Sequence, residues 1–114
     1  MRIDVKGRNV AVGDDLRERV QKRFEKIGRQ VSELAQLDVE LAEEKNPSIR
    51  DSCVAEATLH LKGVTLRAHS AADNMVSAIN ETSDDLGRQV KRHRDKRRRR
   101  RETAKAAEAR PATP

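Results

Sequence analysis

Apolar and polar residues alternate at the start of the chain, with Ile3, Val5 and Gly7 on one side and Arg2, Asp4, Lys6 and Arg8 on the other. A period of two over this length predicts a half-buried strand. Gly13-Asp14-Asp15 supplies a turn and a carboxylate cap. From Leu16 the spacing changes. Leu16, Val20, Phe24, Ile27 and Val31 recur every three or four residues, which predicts one face of an amphipathic helix of about 16–18 residues. Arg19, Lys22, Arg23, Lys26 and Arg29 form a basic stripe on another side of the same helix. Period two returns at Leu37, Val39 and Leu41, with Asp38 and Glu40 facing out. Residues 43–51, which include Asn46-Pro47-Ser48, predict a polar hairpin loop. In the next strand Cys53, Ala55, Ala57, Leu59 and Leu61 point one way, and Val54, Glu56, Thr58, His60 and Lys62 the other. Gly63 marks a tight turn, after which Val64, Leu66, Ala68 and Ser70 face inward opposite Thr65, Arg67 and His69.

Asp73 can cap a second helix with the apolar face Met75, Ile79, Thr82, Leu86 and Val90. An Asp84–Arg88 pair one turn apart supports it, and Gly87 weakens it by about 1 kcal/mol relative to Ala. Beyond Val90 the apolar face ends while helix-forming Arg and Lys continue. The helix is therefore expected to leave the domain as a charged rod and to fray near Arg101. Residues 102–114, Ala-rich with Pro111 and Pro114, read as a disordered tail or the start of a linker, which leaves a domain of residues 1–101. The element order is strand, helix, three strands, helix. The helical crossover makes the first two strands parallel or separated neighbours, and the last three can form an antiparallel meander. Every strand has one apolar face, so both helices pack on the same side. The predicted architecture is α+β: a βαβββα two-layer sandwich whose four-stranded sheet has one wet face.

Charge sharpens this picture. Residues 88–101 hold ten Arg or Lys against the single acid Asp95, a net of +9, whereas the rest of the 114-residue chain carries 15 basic and 18 acidic groups. The basic character is a local device. Concentrated cations of this kind neutralise several phosphates together, and a nucleic acid or an anionic membrane surface are the natural partners. The membrane reading is disfavoured, because the chain has no Trp or Tyr and no strongly apolar helix face beside the basic run. The start lacks the apolar core of a signal peptide, and the single cysteine, Cys53, reads as a small buried hydrophobe. These features point to a cytoplasmic protein. Without Trp or Tyr there is no stacking platform for single strands, which favours a structured RNA recognised by its phosphates and 2′-hydroxyls. His60, His69 and His93 have no metal-ligand spacing with Cys53, and no nucleophile–base set or phosphate loop appears. No catalytic residue, metal or cofactor is expected, and an enzyme is not.

Several segments in order carry a family resemblance: Val5-Lys6-Gly7-Arg8-Asn9, the Leu16/Val20/Phe24/Ile27 helix, Ala55-Glu56-Ala57-Thr58-Leu59, Ala72 through Asn80, and Asp85-Leu86-Gly87-Arg88-Gln89-Val90-Lys91-Arg92. Over about residues 2–100 the chain resembles the ribosome hibernation-promoting factors, ribosome-associated inhibitors once described as sigma-54 modulation proteins. The family usually shows Asp-Met-Tyr before Ala-Ile-Asp, where this chain has Asn74, Met75 and Val76. The resemblance implies a fold similar to double-stranded-RNA-binding domains. It also implies binding to the small ribosomal subunit between head and body, where messenger and transfer RNA would sit, so that idle ribosomes are silenced and protected during stress. Long family members add a carboxy-terminal domain that pairs ribosomes. This chain is then either a short form or the amino-terminal part of a longer one.

The expected RNA contacts are Arg88, Lys91, Arg92, Arg94, Lys96, Arg97, Arg98, Arg99 and Arg100 on the second helix, Arg19, Lys22, Arg23, Lys26 and Arg29 on the first, and Lys6 and Arg8 on the first strand. The expected partner is the small ribosomal subunit and its ribosomal RNA, bound by a monomer. Two alternatives stand beside this reading. One is a general structured-RNA-binding protein; the other is a protein–protein regulator of transcription that uses the acidic strand residues Asp38, Glu40 and Glu56.

Overall fold

The computed structural model describes residues 1–44 and 50–109. Along the chain run β1 (Arg2–Arg8), α1 (Asp14–Gly28), β2 (Gln36–Glu43), β3 (Cys53–Leu61), β4 (Val64–Ala72) and α2 (Met75–Ala109). The strands lie side by side in chain order. β1 pairs with β2 in parallel, Val5 opposite Val39, so the α1 crossover links direct neighbours. β2–β3 and β3–β4 are antiparallel, with Val39 opposite Ala57 and Ala57 opposite Ala68. The predicted α+β sandwich is the fold observed, and both helices cover one face of the sheet.

That face and the helices share one core. Val20, Phe24 and Ile27 from α1 meet Val5, Leu37, Val39, Leu41 and Leu59 from the sheet, and Ile79, Leu86 and Val90 from α2. Where α2 crosses β3 and β4 the sheet presents Ala55, Ala57, Ala68 and Ala72, all buried. Small side chains there let the helix approach closely. The buried Thr82 Oγ1 donates to the Ala55 carbonyl oxygen at 3.1 Å, which satisfies a hydroxyl that would otherwise cost free energy in the interior. Gly7 answers a different need, because a Cβ there would collide with the Val10 carbonyl oxygen and lie 2.7 Å from Val12 Cγ2. The chain folds back over β1 at this point through Asn9, whose φ of 59° is the left-handed region that Asn tolerates.

Four details depart from the sequence reading. Asp14 and Asp15 lie in the first turn of α1 and make no side-chain cap hydrogen bond; Gly13 is the capping residue. The carboxylates therefore act there on the helix dipole. α1 ends at Gly28, one turn earlier than the apolar spacing suggests, and Val31 packs on the core from the loop beyond. α2 is capped by Asn74, whose Oδ1 accepts from the Ser77 amide at 2.8 Å, while Asp73 accepts from the Asn74 side chain. Asn74 thus does the capping expected of Asp73. Helix α2 also continues to Ala109 instead of fraying near Arg101, as the strong helix propensity of Ala104, Ala106 and Ala107 favours. The expected Asn46-Pro47-Ser48 turn and residues 110–114 lie outside the described residues.

Candidate nucleic-acid interface

The core-facing residues of α1 fix where its basic stripe points. With Val20, Phe24 and Ile27 buried, Arg19, Lys22 and Lys26 are exposed and Arg23 is half-buried beside α2. Arg23 Nη2 reaches Asp84 Oδ1 of α2 at 3.2 Å. Asp84 is therefore used across the helix pair, and Arg88 pairs with Asp85 at 3.8 Å in place of the expected Asp84. Two cations of the stripe are partly neutralised on their own helix, Lys22 by Glu18 and Arg29 by Glu25, each at 3.7 Å. Arg29 turns to the Met1 side of α1 and lines a separate hollow with Ile3 and Gly28.

Two basic grooves meet along α1. One, of about 670 Å³, is lined by Arg19, Lys22, Arg23 and Lys26 together with the acids Asp15 and Glu18 and with Leu16 and Val76. The other, of about 570 Å³, runs between the helices and gathers Arg23, Lys26, Arg88, Lys91 and Arg94, with Ser83, Asp84 and Gly87 from α2. Arg23 and Lys26 belong to both, so a surface with an excess of cations, interrupted by Asp15, Glu18 and Asp84, runs from the first turns of α1 to the projecting part of α2. This arrangement can hold a phosphate backbone by charge and N–H donation without reading bases. Lys96, Arg97 and Arg100 lie on a different side of α2, next to the β3–β4 turn, and the exposed Arg92, Arg98 and Arg99 line neither groove.

The structure does not bring Lys6 and Arg8 to this surface. They project from the sheet face opposite the helices, in rows set by strand pairing: Lys6 beside Glu40, and Glu40 opposite Glu56. Arg8 Nε lies 3.5 Å from Glu40 Oε1, and Arg2 Nε 4.0 Å from Asp4 Oδ2. Asp38 faces His60 Nε2 at 3.2 Å, and the Gln36 amide donates to both Asp4 and Asp38. Cations and acids on this face compensate one another, so it has no strong field of either sign. Lys62 is the residue the sequence reading misplaced. At the β3–β4 turn it joins His93, Lys96, Arg97 and Arg100 around a groove against α2. Its position next to Gly63 signals the turn, but no local pattern reveals which helix passes beside it. Cys53 is half-buried at the start of β3. Among the described residues no group of His, Cys, Asp or Glu is arranged to hold a metal ion, and no helix is long and apolar enough to cross a membrane.

The chain is thus a two-layer α+β domain with its cations concentrated on the helix side. Residues 3–98 match the family described as Sigma 54 modulation protein / S30EA ribosomal protein, and the chain belongs to that family. It is 35% identical over 96 residues to a ribosome hibernation promoting factor of Salmonella typhimurium, covering 84% of this chain and 96% of the relative. To a ribosome hibernation promotion factor of a Picosynechococcus strain it is 29% identical over 97 residues, and there it spans half of the relative's length. The crystal structure of the amino-terminal domain of Thermus thermophilus Protein Y superposes with a TM-score of 0.71 at 26% identity, covering 82% of this chain and 99% of that one. A ribosomal subunit interface protein from Coxiella burnetii has the same fold, with a TM-score of 0.70 at 19% identity over 83% of this chain and 99% of that one.

Proposed function

We propose that this protein is a ribosome hibernation factor. It docks the α1–α2 basic surface on ribosomal RNA of the small subunit, occupies the channel used by messenger and transfer RNA, and silences idle ribosomes by occlusion. The observation that carries this reading is the cation-rich surface on which Arg19, Lys22, Arg23, Lys26, Arg88, Lys91 and Arg94 outnumber Asp15, Glu18 and Asp84, in a chain of this family. Relatives named as hibernation factors support the role, and the cytoplasm, where ribosomes work, is its place of action. The action is binding alone. Lys6 and Arg8 contribute little to the anchor, because acids on the sheet face offset them.

Phosphate neutralisation makes the affinity salt-dependent. A protein holding about 6–10 phosphates loses roughly 10³–10⁵ in affinity between about 50 and 200 mM salt. Co-sedimentation with small subunits through sucrose gradients tests the site. Reversing Arg88, Lys91, Arg92 and Arg94 together to Glu is expected to abolish co-migration at moderate salt with an unchanged circular dichroism spectrum, since all four are exposed. Parent-like co-migration of the folded quadruple variant would exclude this surface as the anchor. Equal affinity of the parent for any long RNA duplex would favour a general structured-RNA binder.

A further inference from the structure

Arg23 stands at the saddle between the two grooves along α1, since it lines both. Its guanidinium is engaged at one end. Nη2 donates to Asp84 Oδ1 at 3.2 Å, while Nε is buried with no hydrogen-bond partner among the described residues. Among those residues one other buried side-chain atom shares this condition, Asn80 Oδ1 on α2. Helix spacing puts the two on one seam. Val76, Asn80, Asp84 and Gly87 follow one another at intervals of four, four and three, which makes a single stripe of a helix. Val76 meets α1 in the first groove, and Asp84 and Gly87 meet it in the second. Asn80 therefore faces α1 at the ridge between the grooves, the level at which Arg23 crosses. The Ser83 hydroxyl beside it already donates to the Asn80 main-chain carbonyl at 2.9 Å, so it is no donor for the side-chain oxygen.

A buried donor without an acceptor and a buried acceptor without a donor are both costly, and such groups are few in native structures. These two complement each other. Asn80 and Asp84 are about 6 Å apart along the α2 axis, within the swing of an arginine side chain. The Arg23–Asp84 pair that keeps the two orphans unmatched is weakly held: its side chains are 37% and 60% exposed, and ion pairs in water contribute little. We propose that Arg23 is a latch with two settings and that Asn80 is its positioning residue. In the closed setting, seen in this structure, Asp84 holds and neutralises the guanidinium. In the open setting Nε donates to Asn80 Oδ1, Asp84 is left to water, and both Nη groups are free to grip one phosphate side by side. The inference rests on the α1–α2 surface being the RNA-binding face. It adds that RNA selects a rearranged form of that face, because only the open setting offers Arg23 to a phosphate.

Asn80→Leu in the full chain tests the latch, because it changes no charge and keeps a side chain of similar shape. Replacing an unpartnered acceptor by an apolar group should leave the urea midpoint of the free protein equal or higher. Small-subunit affinity should nevertheless fall about tenfold, the scale of one hydrogen bond to a charged group. In an Arg23→Gln background the same substitution should leave affinity unchanged. The nitrogen-15 signal of the Arg23 Nε–Hε group reports the setting directly. On addition of a short RNA duplex it should move downfield in the parent and stay in place in Asn80→Leu. Parent-like affinity of Asn80→Leu overturns the inference, as does an equal loss in the Arg23→Gln background or an Nε–Hε signal that RNA does not move. A urea midpoint that falls together with the affinity overturns it too, since that marks a merely structural role. Each of these results leaves the proposed function standing. A parent that binds no small subunits would instead remove that function, and the nitrogen-15 signal with the duplex would still decide the latch.

Discussion

Gly87 is the residue whose presence the fold does not explain. Nothing lies within 4 Å of the position a Cβ would take, so the site has room for a side chain, and glycine inside a helix costs about 1 kcal/mol relative to Ala. Under the proposed docking its place on the α1–α2 groove supplies a reason: a bare helix backbone would let an RNA backbone approach α2 between Lys26 and Lys91. Gly87→Ala is expected to stabilise the protein by up to about 1 kcal/mol in urea titrations with little effect on binding. Gly87→Leu should keep most of that stability and weaken small-subunit binding by about tenfold, or ~1.4 kcal/mol. Unchanged affinity of the Leu variant would mean that nothing approaches the groove floor. Local spacing shows Gly87 only as a weak point in the helix. The open space around it depends on α1, which lies more than fifty residues earlier in the chain. Asp84 teaches the same lesson. Its neighbour one turn on is Arg88, yet its partner is Arg23, 61 residues away. Charge pairs are legible in sequence only while they stay within one element.

At the scale of elements, periodicity made all six legible, because each buries a single face. β3 and β4 alternate cleanly for that reason, and the bounds of β1 follow its alternation residue by residue. The helix ends were harder to read, since caps depend on individual side chains and the apolar period persists past the last turn, as at Val31. The length of α2 is not legible in the end of its apolar face, because the propensity of the alanines that follow outweighs self-repulsion in the basic run. Thirty-five residues of helix span about 52 Å at 1.5 Å per residue, and the part beyond His93 leaves the sheet behind. This projecting segment is held by backbone hydrogen bonds and propensity, not by a core. Arg98→Pro should therefore break it at a local cost of about 3 kcal/mol while sparing the packed domain. The expected result is reduced helicity at 222 nm, an unchanged cooperative unfolding transition and weaker small-subunit binding. Loss of the cooperative transition would show that the projecting helix supports the core.

For the whole molecule, the principal extents of 73 × 27 × 18 Å describe a compact sandwich with a rod. The sheet face is internally compensated and the helix side is cationic. The sequence showed how much positive charge there was and which run carried it. It did not show that the run divides between two sides of α2, because that division depends on where the β3–β4 turn meets the helix. The same charge disfavours self-association: two copies of a run of net +9 repel at close range, and the only Phe, Phe24, is fully buried. These 114 residues are therefore expected to remain monomeric in sedimentation velocity, and to increase the single-ribosome peak in gradients without a ribosome-dimer peak. A dimer peak formed by this chain alone would reveal an interface between copies.

The central claim is occlusion of the decoding channel through the α1–α2 surface. The most direct measurement is the equilibrium binding of labelled transfer RNA and messenger RNA to purified small subunits as this protein is titrated in. Bound transfer RNA is expected to fall in proportion to subunit occupancy by the protein, with an end point independent of the order of addition, and the variant R23E/K26E/R88E/K91E is expected to displace none at the same concentration. Simultaneous saturation of the subunits with transfer RNA and with this protein would contradict occlusion.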